Sequence, residues 1–208
     1  RIPRREGVLP ARASPCYEAV AGCAVLSPLK VPLRASNVFL LEPADVGAAA
    51  LRETLIFWVS YPHNPTGATA PRDYLSRVGR AALEHACVVA SAECYADLYF
   101  GAPPPSMLEV QVENVVAIHS CSKRSGMTGF RTGFVAGDRD LIATLRRLRG
   151  HPGVASPAFV AAAAEAAWSD DRHAAERREI FRAKRDRLLR FLAGRGLRAE
   201  PCQATLYL

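Results

Sequence analysis

The sequence predicts an α/β fold in which helices pack on a largely parallel sheet. Two observations carry this. Short apolar runs of buried-strand length recur at LIFWVS (55–60), CVVASA (87–92), NVVAIHS (114–120) and GFVAG (133–137). Stretches with helical periodicity follow or separate them, and such alternation favours layered architectures built on parallel strands.

In chain order, residues 1–54 are the least patterned, with CYEAVAGCAVL (16–26) fitting a helix. LIFWVS is ended by the turn-rich YPHNPTG. PRDYLSRVGRAALEHA then places Tyr74, Leu75, Val78, Ala82 and Leu83 on one helical face, with Pro71 suited to the first turn. CVVASA runs into ECYADLYF, and NVVAIHS into the loop HSCSKRSGMTGFR. GFVAG precedes a helix at DLIATLRRLR. From PAFVAAAAEAAW to FLAG the pattern is two helices broken near 169–171, with Asp170 or Asp171 as the cap of the second. GLRAEPCQATLYL alternates as the opening strand of a smaller domain would. No internal repeat or low-complexity tract interrupts this order.

Composition narrows the class. Half of the 208 residues are apolar and 23% are charged, as in ordinary globular proteins. No window has the apolar length of a membrane span, and RIPRREGVLPARASP lacks the apolar core of a signal peptide. The chain lacks an initiating methionine and stops inside an apparent strand, so both ends are expected to be cuts. A net charge of +7 raises the question of nucleic acid, but the arginines are spread over helices where they fit solvated faces, and no nucleic-acid-binding motif accompanies them. Neither nucleic-acid nor membrane partners are expected. Six cysteines show no CxxC spacing, several sit in apolar runs such as HACVVAS as buried free thiols would, a reducing cytoplasm fits, and no metal centre is expected.

Three loops leave the carboxyl ends of expected strands, where open α/β sheets collect ligands. They carry Asn64, then Tyr95, then Ser120, Ser122 and Lys123. Lys123 is one of three lysines against 24 arginines. Arginine serves wherever a fixed charge suffices, whereas an amine that must lose its proton and condense with a carbonyl has to be lysine. A lysine that holds pyridoxal phosphate needs hydroxyls and an arginine for the phosphate, donors to the ring oxygen and, at the pyridine nitrogen, usually a carboxylate. Ser120 precedes Lys123 by three residues and Arg131 follows by eight, within reach of one phosphorylated ligand if the loop folds back.

HSCSKRSGMTGFRTGFVAGD resembles the cofactor-lysine segment of the class I/II aminotransferases, the fold-type-I pyridoxal-phosphate enzymes. HNPTG resembles their NPTG loop and AECYADLYF their D-E-x-Y segment, in the family's order, over about Ser14 to the end. YPHNPTG, SKRSGMTGFRTGFVAGD, AAWSDDRH and REIFRAKRDRL resemble the N-succinyldiaminopimelate aminotransferase subgroup. The resemblance implies a three-layer α/β/α large domain over residues 1–170, partial here, and a linking helix with the start of a small C-terminal domain over 171–208. It implies Lys123 as the catalytic Schiff-base lysine, Asn64 and Tyr95 as ring-oxygen donors, and Ser120 and Arg131 as phosphate ligands, with pyridoxal 5'-phosphate as cofactor. It also implies a homodimer that moves an amino group from glutamate to a 2-oxo acid such as N-succinyl-2-amino-6-oxopimelate. Departures from the pattern keep alternatives open. Ala92 stands where the family places the ring-nitrogen aspartate, and Ser14 where it places the stacking aromatic, while Tyr17 matches a later tyrosine. Glu93 and Asp97 are not expected to replace the lost carboxylate. The family's first phosphate loop and its substrate-carboxylate arginine fall outside the chain. A degenerate or truncated scaffold, or a β-lyase or decarboxylase on the same cofactor, therefore remains beside the transaminase.

Overall fold

Six strands form one sheet: β1 (Glu6–Pro10), β2 (Ser27–Val31), β3 (Thr54–Val59), β4 (Val88–Ala92), β5 (Val115–Ser120) and β6 (Gly133–Gly137), ordered β2-β1-β3-β4-β5-β6. Every neighbouring pair is parallel except β5 and β6, which are antiparallel. The helices are α1 (Pro15–Cys23), α2 (Pro43–Val46), α3 (Ala48–Glu53), α4 (Arg72–His85), α5 (Cys121–Arg124), α6 (Arg139–Arg149), α7 (Ala158–Trp168) and α8 (Arg172–Ala193). The computed structural model describes residues 5–151, 155–199 and 202–208.

The four strands expected from apolar runs are present, and the largely parallel α/β layering holds. β1 and β2 come from the unpatterned N-terminal region. Both are short and carry proline, and β2 is mostly exposed at the sheet edge, where a missing backbone donor is tolerated.

Strand alternation divides the core between the two faces. On one face, Val8, Phe57, Val59, Val89 and Val115 are buried beneath Tyr74, Leu75, Val78 and Ala82 of α4 and Leu51 of α3. Full burial of each such aliphatic side chain stabilises by roughly 1.5–3 kcal/mol. Leu83, expected on the same helical stripe, is 42% exposed. One residue past Ala82 turns it about 100° around the helix, off the stripe's edge. The opposite face buries Leu9, Trp58 and Ala90, with Tyr17 of α1 packed against them.

The expected break between the last two helices falls at Ser169–Asp171. Asp170 Oδ1 accepts from Arg172 N at 2.9 Å, so its side chain caps the first turn of α8 while Asp171 is engaged elsewhere. The terminal residues form no strand among those described. Residues 200–201 of the expected strand lie outside the described residues, and the remainder makes an isolated bridge from Ala204 to Tyr99. A ladder needs a continuous partner, and here the partner is a loop.

The arginines of α8 do not simply face solvent. Arg178, Arg182 and Arg185, at i, i+4 and i+7, donate to the carbonyls of Asp97, Phe100 and Cys202 at 3.3, 2.7 and 3.4 Å. Arg178 stacks on Tyr99 and Arg185 on Phe100, each at 4.2 Å from the ring centroid. A planar fork on a long stem can satisfy loop carbonyls that a helix backbone cannot reach. No described helix is long and apolar enough to cross a membrane.

Tyr74 is fully buried and donates to Leu41 O at 2.9 Å, tying α4 to the segment before α2. Tyr74→Phe strands that carbonyl and is expected to lower unfolding free energy by about 1–3 kcal/mol in urea titrations, without loss of secondary structure by circular dichroism.

Candidate active site

The loops after β3, β4 and β5 leave one end of the sheet, as parallel strands require. The first is held by His63, which is buried. Its Nε2 faces the carbonyl of Arg12 at 3.0 Å and must donate, leaving Nδ1 to accept from Thr66 Oγ1 at 2.8 Å. Burial lowers the His63 pKa, which suits this neutral ring. Asn64 is half-buried in the same loop and makes no side-chain hydrogen bond among the described residues.

The second loop presents Tyr95, 7% exposed, whose hydroxyl lies 3.3 Å from that of Tyr207. Burial raises the Tyr95 pKa, as does the Tyr207 hydroxyl, so Tyr95 is a protonated donor at neutral pH. The third loop opens as the single helical turn α5. Ser120 occupies its N-cap and accepts from Ser122 N at 3.1 Å, so this serine does cap a helix. Lys123 is half-buried, with Nζ 5.8 Å from the centroid of the Tyr95 ring. Arg131 closes the loop in a left-handed conformation at φ 52° and donates to Thr128 O at 3.0 Å. Such a φ in a non-glycine residue marks a turn set by its surroundings.

Ser120, Ser122 and Arg131 line one open cleft of about 950 Å³, together with Cys94, Ile118 and the apolar side of α6 at Ile142, Leu145 and Leu148. Lys123, Tyr95 and Asn64 are not in its lining; the amine and the Tyr95 ring form a second group beside it. Cys94 connects the two. It lines the cleft, and although burial and Cys16 raise its pKa, the Lys123 ammonium opposes the rise. Among the described residues no group of three or more His, Cys, Asp or Glu could hold a metal ion.

Ala92 pairs with Ile118 in the β4–β5 register, and alternation puts both on the face that carries Trp58 and Tyr17. Glu93 points to the other face. It accepts from Ser91 Oγ at 2.8 Å and Met107 N at 2.9 Å, and lies 3.3 Å from His119 Nε2. Burial works to raise its pKa, but the hydrogen bonds from His119, Met107, Ser106 and Ser91 prevail and hold the carboxyl below its ordinary range. His119 stacks on Phe134 at 4.7 Å and meets Trp168 edge-on. Asp97 is bound to Arg124 at 3.0 Å. Neither carboxylate is therefore free to stand in for position 92. Ser14 sits half-buried at the N-cap of α1, and Tyr17 stacks on Trp58 at 4.8 Å with its hydroxyl donating to Ser60 Oγ at 3.1 Å.

Residues 3–208 match the family model for aminotransferase class I and II. The chain belongs to that family. Its members use pyridoxal 5'-phosphate, and their fold is the one seen here. A probable aminotransferase of Mycobacterium tuberculosis is 34% identical over 97% of this chain and 46% of its own length. An LL-diaminopimelate aminotransferase of Desulforudis audaxviator is 34% identical over 93% of this chain and 51% of its own. The structure of a probable N-succinyldiaminopimelate aminotransferase from Thermus thermophilus superposes with a TM-score of 0.83 at 28% identity, over 92% of this chain and 52% of that one. The chain thus spans about half the length of the curated relatives it matches.

Sequence reasoning did not find the Glu93–His119 pair, the Tyr17–Ser60 contact, Tyr207 beside Tyr95, or Arg124. Strand alternation was the one available signal, since it separates Glu93 from Ala92. In this aminotransferase-family chain the depressed Glu93 pKa has a definite pH signature. Its stabilisation is complete above the ordinary value of 4.5 and is lost as pH falls through the lower folded-state pKa. Glu93→Gln should therefore cost most stability near neutral pH, and its deficit should shrink in urea titrations carried below that range.

Proposed function

We propose that this chain carries the cofactor-binding part of a pyridoxal-phosphate-dependent transaminase, with Lys123 as the amine that holds the cofactor and moves the proton at the substrate's α-carbon. One observation carries the reading: Lys123 Nζ stands 5.8 Å over the Tyr95 ring, beside a cleft lined by Ser120, Ser122 and Arg131. These donor types fit a phosphate, which accepts bidentate bonds from guanidinium and single bonds from hydroxyls. In this assignment Ser120 and Arg131 hold the phosphate, and Tyr95, protonated at neutral pH, donates with Asn64 to the ring oxygen. When bound, the cofactor supplies an electron sink for the charge that develops as the α-proton leaves. Glutamate is the amino donor in this reading and N-succinyl-2-amino-6-oxopimelate the acceptor. Similarity to the probable N-succinyldiaminopimelate aminotransferase of Thermus supports that acceptor, and similarity to the Desulforudis relative supports LL-diaminopimelate chemistry. A cytoplasmic homodimer belongs to the same reading, and sedimentation tests the oligomeric state.

Ala92 favours a second reading, a scaffold that keeps cofactor affinity with little turnover. A methyl group cannot keep the pyridine nitrogen protonated, and both neighbouring carboxylates are committed to other partners. Loss of one member of a buried charged pair costs roughly 3–5 kcal/mol, equivalent to a rate lower by about a hundred- to several-thousand-fold if it falls wholly on the barrier.

Two measurements separate the readings. Adding pyridoxal 5'-phosphate should produce a visible absorption band that Lys123→Ala abolishes; an unchanged band in the variant removes Lys123 from the chemistry. Ala92→Asp should raise amino transfer from glutamate, by up to about a hundred- to several-thousand-fold, and no gain would show that position 92 does not limit the protein.

A further inference from the structure

We propose that Arg177 is a positioning residue for Lys123, part of a clasp through which the start of α8 sets where the amine stands. Three consecutive residues of the lysine loop are held by one short stretch, residues 170–177. Arg177 Nε donates to the carbonyl of Lys123 itself at 3.0 Å. Arg124 donates to Asp171 Oδ1 at 2.6 Å and to Asp170 O at 3.2 Å. His173 Nε2 lies 2.9 Å from Ser125 Oγ, while its Nδ1 faces Asp170 Oδ2 at 3.1 Å. His173 and Arg177, four apart, share one face of α8, so a single helical surface meets the loop.

The loop is shaped to receive this surface. Gly126 has φ +71°, and a Cβ there would lie 2.8 Å from Arg177 Nη1. The backbone conformation favours glycine at that position, and a side chain there would press on the guanidinium and push it aside. Holding the Lys123 carbonyl fixes the peptide plane that includes its Cα, and the helical turn α5 sets the remaining rotation about the Cα–C bond, so the two together set the direction in which the side chain leaves the backbone. α5 is only four residues long and cannot supply that rigidity alone. Arg178 and Arg182 on the same helix hold the Asp97–Phe100 segment instead, which makes them natural controls for general bracing.

This inference deepens the reading of Lys123 as the reacting amine, and its test has one arm that does not depend on that reading. Lys30, on the edge strand β2, serves as the internal reference for competitive labelling of amines with acetic anhydride, quantified by mass spectrometry. Arg177→Ala should raise acetylation of Lys123 relative to Lys30 by about tenfold, the population change expected when one charge-assisted hydrogen bond is lost. Arg177→Lys, which keeps a charged donor, should restore much of the wild-type ratio, and Arg182→Ala should leave it unaltered. The second arm is borohydride trapping of pyridoxal 5'-phosphate on Lys123, which Arg177→Ala should diminish. Equal Lys123:Lys30 labelling in Arg177→Ala and wild type, or an equal rise in Arg182→Ala, overturns the proposal. If Arg177→Ala does not fold, Ser125→Ala removes the His173 contact and is held to the same labelling criterion. A wild type that traps no cofactor defeats the functional reading, while the labelling arm still decides the role of Arg177.

Discussion

A buried cation organises this end of the sheet. Arg124 is 5% exposed, and an isolated charge at such depth is costly unless paired. It is neutralised by Asp97 from the loop after β4 and by Asp171 at the start of α8, and its guanidinium lies 4.8 Å over the Trp168 ring at the end of α7. Burial opposes the charge, but the two aspartates outweigh it and raise the pKa. One side chain thereby joins the lysine loop, the Tyr95 loop and the α7–α8 junction. Removing either aspartate would leave the buried guanidinium with a single carboxylate and break one of the links, which is why these elements keep their relative places.

The two-residue period of a strand decides the fate of the neighbouring carboxylate. Ala92 and Glu93 are adjacent in sequence but serve opposite faces of the sheet. Glu93 is saturated by Ser91, Met107 and His119, and His119 is fixed in turn against Phe134 and Trp168. This polar knot closes the core above α4's face. On the other face Ala92 and Ile118, paired in register, carry no ionisable group, so its chemistry depends on the loops.

Much of the fold was legible because β3, β4 and β5 are rich in apolar residues of buried-strand length, while α4 shows its periodicity plainly. β1 and β2 escaped notice because EGVLP and SPLKV are short and interrupted by proline. In the candidate site, Lys123 stood out through scarcity and through the motif around it, which also suggested Ser120 and Arg131, while Asn64 and Tyr95 followed from the HNPTG and AECYADLYF segments. What holds them did not show. Arg177 meets Lys123 across 54 residues and Tyr207 meets Tyr95 across 112, and no local pattern reports pairings of that span. Arginine also hid its purpose: on α8 it looks like a solubilising residue in sequence, yet it reaches carbonyls in three separate segments.

β5 and β6 are adjacent and antiparallel, paired from Val116–Gly137 to Ser120–Gly133. The excursion that carries Lys123 and Arg131 therefore begins and ends on hydrogen-bonded neighbours, like the tip of a hairpin. Closing so short a circuit costs little chain entropy compared with the helical crossovers elsewhere in the sheet. The two ends of the loop can consequently meet early in folding, through local contacts. The distant clasp on α8 would then refine an arrangement already near its final form.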